Sequence, residues 1–161
     1  MRKIIMMAAG AAALSASPAF AATDTDDMLV TATVIDSCTV TASPMAFGTL
    51  TTLGSANIDS SATIALACTP DAAYDVSLDS GLNAGGGSQR QLVNGADATQ
   101  RIDYDVYSNA ARTTAWNTTA TVTGTATGGV ATLTAYGRIP ASATAVTAGS
   151  YSDSVTVTVT F

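Results

Sequence analysis

Histidine and glutamate do not occur in this 161-residue chain, and lysine occurs once, at Lys3. The commonest general base and the commonest metal ligand are therefore both missing. With only two cysteines and no histidine, no ligand set for a structural zinc site can be assembled. Charge of either sign is sparse, at 11% of residues, and the formal balance is −6. A nucleic-acid binder must bring Lys and Arg to the phosphates, and an anionic membrane surface selects for the same residues. Neither partner fits. Long apolar runs are also missing: beyond Leu14 none approaches the roughly 20 residues that a spanning helix needs, so the chain does not read as a transmembrane protein. No segment holds a helical period for more than about two turns, although residues 108–114 could form one short turn.

What the chain does have is Ala (32) and Thr (27), more than a third of its length between them. Low hydrophobicity alone does not make a chain disordered; high charge is needed too, and that is missing. The length fits one domain with its own core. Residues 1–21 read as a signal peptide. Arg2 and Lys3 form its basic start, residues 4–14 its apolar core, and Ala19-Phe20-Ala21 its cleavage site. Beyond it, four arginines face twelve aspartates and lysine is gone. An exported chain with one pair of cysteines, Cys38 and Cys68, is expected to join them in a disulfide. The 30-position loop would stabilise the fold by roughly 3.6 kcal/mol in the chain-entropy treatment.

Strand signals fill the remainder. Residues 29–35 and 38–41 are rich in Thr and Val, and 62–69 ends at Pro70-Asp71. Tyr74, Val76 and Leu78 alternate with Asp75, Ser77 and Asp79, as do Ile102, Tyr104 and Val106 with Asp103 and Asp105, the period of a half-buried strand. A Gly128-Gly129 turn precedes residues 130–139, and residues 154–161 alternate to the last position. Many short strands with polar turns predict an all-β sandwich.

An ordered set of motifs then resembles the spore coat protein U domain family, which includes the pilins of archaic (Csu-type) chaperone–usher pili. The set begins with Ser37-Cys38-Thr39-Val40 and Phe47-Gly48-Thr49, with a second Cys at a strand end. It continues through Asp103-Tyr104-Asp105-Val106-Tyr107 and Ala110-Ala111-Arg112-Thr113. It closes with Tyr136-Gly137-Arg138-Ile139-Pro140 and Gly149-Ser150-Tyr151-Ser152-Asp153. The resemblance covers residues 28–161. It implies an immunoglobulin-like sandwich that lacks its last strand and is completed by a donor strand from a neighbouring subunit. A periplasmic chaperone fills the groove first. At the outer-membrane usher the extension of the next subunit, another copy or a related pilin, replaces it. The chain would thus be exported through the periplasm to a surface pilus or secreted, with adhesion or biofilm formation as the outcome.

On that resemblance the chain divides into a signal peptide (1–21), an N-terminal donor-strand extension (22–36) and a sandwich domain (37–161). Of the two faces of residues 28–35, Met28, Val30, Ala32 and Val34 form the all-apolar one and are the expected donor residues. Val155, Val157, Val159 and Phe161 share one face of the last strand and are the expected groove and chaperone contacts. The other readings are a secreted spore-coat-like structural protein and a stand-alone carbohydrate-binding or adhesive module.

Conventional chemistry fares worse. Asp75/Asp79 and Asp103/Asp105 resemble glycosidase carboxylate pairs, but their apolar neighbours turn them outward to solvent. Asp24, Asp26 and Asp27 lack the Gly and closing Glu of a calcium loop. Gly85-Gly86-Gly87-Ser88 lacks the Lys of a phosphate loop. Trp116 with Tyr104, Tyr107 and Tyr136 could stack a sugar, yet a lone Trp in a sandwich is more often core. Asn117-Thr118-Thr119 reads as a chance sequon. No enzyme, cofactor or metal is expected.

Overall fold

A computed structural model describes residues 20–161; the expected signal peptide falls almost wholly outside them. The chain divides into two units, Met1–Thr33 and Val34–Phe161. In the first, residues 20–33 form neither helix nor strand, and their side chains are exposed. The second unit holds nine strands: β1 (Cys38–Ala42), β2 (Ile58–Cys68), β3 (Ala73–Leu78), β4 (Arg90–Asn94), β5 (Arg101–Tyr107), β6 (Val122–Thr125), β7 (Val130–Ile139), β8 (Tyr151–Ser152) and β9 (Val157–Thr160). Short 3-10 turns at Gly86–Ser88 and Thr127–Gly129 are its other regular pieces. Among the described residues no helix is long and apolar enough to cross a membrane.

The strands form two antiparallel sheets, ordered β1-β2-β7-β5-β4-β8 and β6-β3-β9. Alternation selects the buried face of each strand. Ile64 and Leu66 of β2, Tyr74, Val76 and Leu78 of β3, Ile102, Tyr104 and Val106 of β5, and Ala135 and Ile139 of β7 fill the core. Trp116 joins them, 1% exposed, and its indole N–H donates to the Val76 carbonyl at 2.8 Å. A buried indole needs such a partner. The expected all-β sandwich is what forms.

Two long strands carry the larger sheet. β2 pairs with β7 from Ile58↔Ile139 to Ala67↔Val130. On the outer face of that ladder Asp59 lies opposite Arg138, whose Nε and Nη2 donate to its two carboxylate oxygens at 2.7 and 2.9 Å. Cys38 lies opposite Cys68 at the end of β1, and the two are disulfide-bonded.

Several expectations change. Residues 29–35, Thr- and Val-rich enough to read as a strand, have no partner strand among the described residues. β2 begins at Ile58 rather than at 62, because Asp59 gains a cross-strand arginine. The alternating tail pairs over Val157–Thr160, where β3 runs alongside. Asp75 and Asp79 are half-buried rather than solvated. The Asp75 Oδ1 is enclosed without a hydrogen bond, and Asp79 Oδ1 accepts from the Gly81 and Thr156 amides at 2.9 and 2.8 Å.

Candidate functional site: an apolar groove beside an open strand edge

β9 is the last strand of its sheet, and β1 is the last of the other. They face each other along one seam of the sandwich, where their backbones approach within 8 Å. In a strand, successive main-chain groups point to opposite edges. The Thr156 carbonyl accepts from the Asp79 amide at 3.1 Å, so Thr156, Thr158 and Thr160 bond toward β3. The N–H and C=O groups of Val155, Val157 and Val159 therefore point to the open edge. Their side chains, half-buried, pack against the core, while Phe161 is 54% exposed. Of the expected groove residues, Val157 and Val159 lie in β9, while Val155 precedes it and Phe161 follows it. Among the described residues, Val155, Val157 and Val159 offer both an apolar face and main chain without a partner.

Beside this edge lies a groove of about 340 Å³. After β1 the chain turns inward, and Pro44, Met45 and Phe47 form part of its lining, with Leu78, Tyr104, Val106, Val155 and Val157. The Phe47 ring meets Tyr104 edge-on, with centroids 6.0 Å apart. Gly137 admits this segment, because a Cβ there would collide with Met45 Sδ and crowd Phe47. Gly48 has φ +76°, a conformation that favours glycine and ends the inward excursion.

A polar joint closes the Val155 end. The Tyr104 hydroxyl donates to Asp153 Oδ2 at 2.8 Å, and Asp153 Oδ1 accepts from the Asn83 amide at 3.1 Å. Burial, with the Asp153 bond behind it, pushes the Tyr104 phenol far above its ordinary pKa. Arg90, buried nearby, donates to the carbonyls of Leu78, Asp79 and Trp116. Burial pulls its pKa below the ordinary value, partly opposed by Tyr104, Asp105, Asp79 and Asp153.

The expected donor residues are uncovered. Met28, Val30 and Val34 are 87%, 82% and 82% exposed, and Ala32 is exposed as well. Leu29 and Ile35, on the other face, are no more covered. The shared face of residues 155–161 is legible in their alternation, but the floor supplied by Met45, Phe47, Tyr104 and Val106 is not. Phe47, an isolated aromatic before a glycine, is the one available signal for it.

No other surface among the described residues assembles comparable chemistry. Asp75 and the Asp103/Asp105 pair lie on opposite outer faces of the sandwich, because Tyr74, Val76, Tyr104 and Val106 point inward from both sheets. Trp116 and Tyr104 are core, so the four-ring platform does not form. Tyr107 and Tyr136 pair across β5 and β7, but the Arg112 guanidinium stands 5.6 Å from the Tyr136 ring centre and occupies that face. A second depression, about 370 Å³, lies between residues 91–103 and the loop at 140–146, and no aromatic ring lines it. Among the described residues no cluster of acidic or cysteine side chains could hold a metal ion.

The solved chaperone–tip adhesion subunit pre-assembly complex of the archaic chaperone–usher Csu pili of Acinetobacter baumannii contains a similar fold. The TM-score is 0.56 at 25% identity, covering 80% of this chain and 40% of that one. The chain therefore spans well under half of that relative. A chaperone–tip adhesin complex of CFA/I fimbriae biogenesis is more distant, with a TM-score of 0.42 and 13% identity over 68% of this chain and 36% of that one. No curated protein sequence matches the chain. The Spore Coat Protein U domain family model matches residues 24–158, and the chain belongs to that family.

Proposed function

We propose that this chain is a structural, non-catalytic subunit of a surface pilus, assembled by the chaperone–usher route through donor-strand complementation. The observation that carries the reading is a complementarity within one chain. An exposed apolar segment precedes β1, and an apolar groove beside an unpaired strand edge is left open. Strand addition joins two such parts: main-chain bonds supply affinity and alternate side chains fill pockets. At about 3.3 Å per residue the edge from Val155 to Phe161 and the segment from Met28 to Val34 both extend about 20 Å. Burying Met28, Val30 and Val34 at about 1.5–3 kcal/mol each supplies roughly 5–9 kcal/mol gross.

A periplasmic chaperone is the first occupant of the groove in this reading. The extension of another copy or a related pilin replaces it at an outer-membrane usher, carrying the chain to the cell surface in support of adhesion or biofilm formation. The similar Csu subunit was solved in complex with a chaperone, which supports that first step. Val30→Asp tests the mechanism. The variant should still form a soluble chaperone complex but should grow no fibres, since burying an unpaired carboxylate costs several kcal/mol. Failure of the variant monomer to fold with its chaperone would make residues 28–35 an intrinsic strand and overturn the reading.

A further inference from the structure

The extension enters the sandwich at one place, and three links converge there. Cys38 is the first residue of β1 and lies opposite Cys68, the last of β2, with Cα atoms 4.0 Å apart. Beside that bond the Thr69 amide donates to the Ser37 carbonyl at 2.8 Å, and the Thr69 hydroxyl to the Ile35 carbonyl at 3.0 Å. Among the described residues β1 has no second neighbour in its sheet, and its free side faces β9 across the seam. This five-residue strand thus continues directly from the exposed extension, borders the seam, and ends at Ala42 in the groove lining.

If a neighbouring subunit holds the extension, any pull along a fibre reaches residue 38 from its N-terminal side. Where the pull has a component across the strand, β1 peels from that end, because its ladder bonds are then loaded one pair at a time. Peeling β1 would remove the wall against which the next incoming strand packs. We infer that the Cys38–Cys68 bond carries tension from the extension past β1 into β2, so that pulling on one link of a fibre leaves the next groove closed around its guest. β2 is suited to receive the load, since it is paired along ten residues with β7 in the interior of the sheet. A cross-link at the Ala42 end would act only after the strand had already come away.

This inference rests on the pilus reading, and two measurements separate their failures. Wild-type fibres are stretched in optical tweezers before and after a thiol reductant, with reduction verified by the mass of alkylated cysteines. The parting force should fall several-fold on reduction. Fibres of Ile102→Ala, weakened in the core of β5 with the bond intact, should part near the wild-type force. An unchanged force after reduction, or an equal fall in the Ile102→Ala fibres, overturns the inference. In the isolated full chain, reduction should speed amide exchange at residues 39–42 at least tenfold while β7 keeps its protection. A uniform rise across both strands overturns the inference without any fibre. If wild-type chains form no fibres, the pilus reading falls and exchange alone decides whether the bond pins β1.

Discussion

Asp79 shows how a single carboxylate can hold two elements in place. Burial raises its pKa, but bonds from the Thr156 amide and hydroxyl and the Gly81 amide outweigh that, and the net shift is downward. Asp59 is likewise lowered, first by the bond from Arg138. A carboxyl whose folded pKa is depressed contributes stability above the unfolded value, near 3.9, and loses it as pH falls through the folded one. Urea midpoints should therefore hold from pH 7 to about 5 and decline below about 4, and Asp79→Asn should remove part of that decline. A wild-type midpoint flat down to pH 2 would contradict the assignment. Arg90 makes the sharper test of packing, because truncation leaves the Leu78, Asp79 and Trp116 carbonyls without their donor. Arg90→Ala should cost at least about 2 kcal/mol in a denaturant titration. Nothing in the residues around it hints at this burial, which shows only where three carbonyls converge on the guanidinium.

Strands were legible where an apolar inner face alternates with a mostly polar outer one. β3, β5 and β7 follow their alternation closely, and β7 runs over residues 130–139 as expected. β4 escaped notice because its inward positions include Arg90 and Asn94, which break the pattern. β6 contains Gly124, where a Cβ would strike the Tyr74 ring, so close packing has removed the very side chain that would mark a strand. β8 is two residues long and depends on its pairing with β4. Residues 29–35 fail in the opposite sense: propensity is high, but the described residues supply no partner. At this scale the disulfide is testable by itself. Replacing Cys38 and Cys68 together by Ala should cost about 2–5 kcal/mol of stability, read as a lower denaturant midpoint. Val157→Asp should abolish chaperone capture, because it puts a charge into the groove beside Leu78; undiminished co-purification would count against the open edge as the docking surface.

Across the whole molecule, the absences in the sequence become properties of the surface. No Lys or Arg lies between residues 4 and 89, so the extension offers trypsin no site. Arg90, Arg101 and Arg138 lie in strands, and Arg112 is tied to the Gly137 and Ser60 carbonyls and to Asp59. Cleavage needs local opening, so the folded chain lacking residues 1–21, and with them Arg2 and Lys3, should keep its intact mass through a trypsin digestion that degrades the reduced, urea-treated protein. Early loss of the extension would show that it is cut elsewhere or held differently. The buried indole of Trp116 has a further consequence for observation. It is the chain's single tryptophan, bonded to Val76 one strand away from the open edge. Folded protein should accordingly fluoresce at short wavelength and resist iodide quenching, and one emission spectrum would report the integrity of the interior next to the groove without any attached dye.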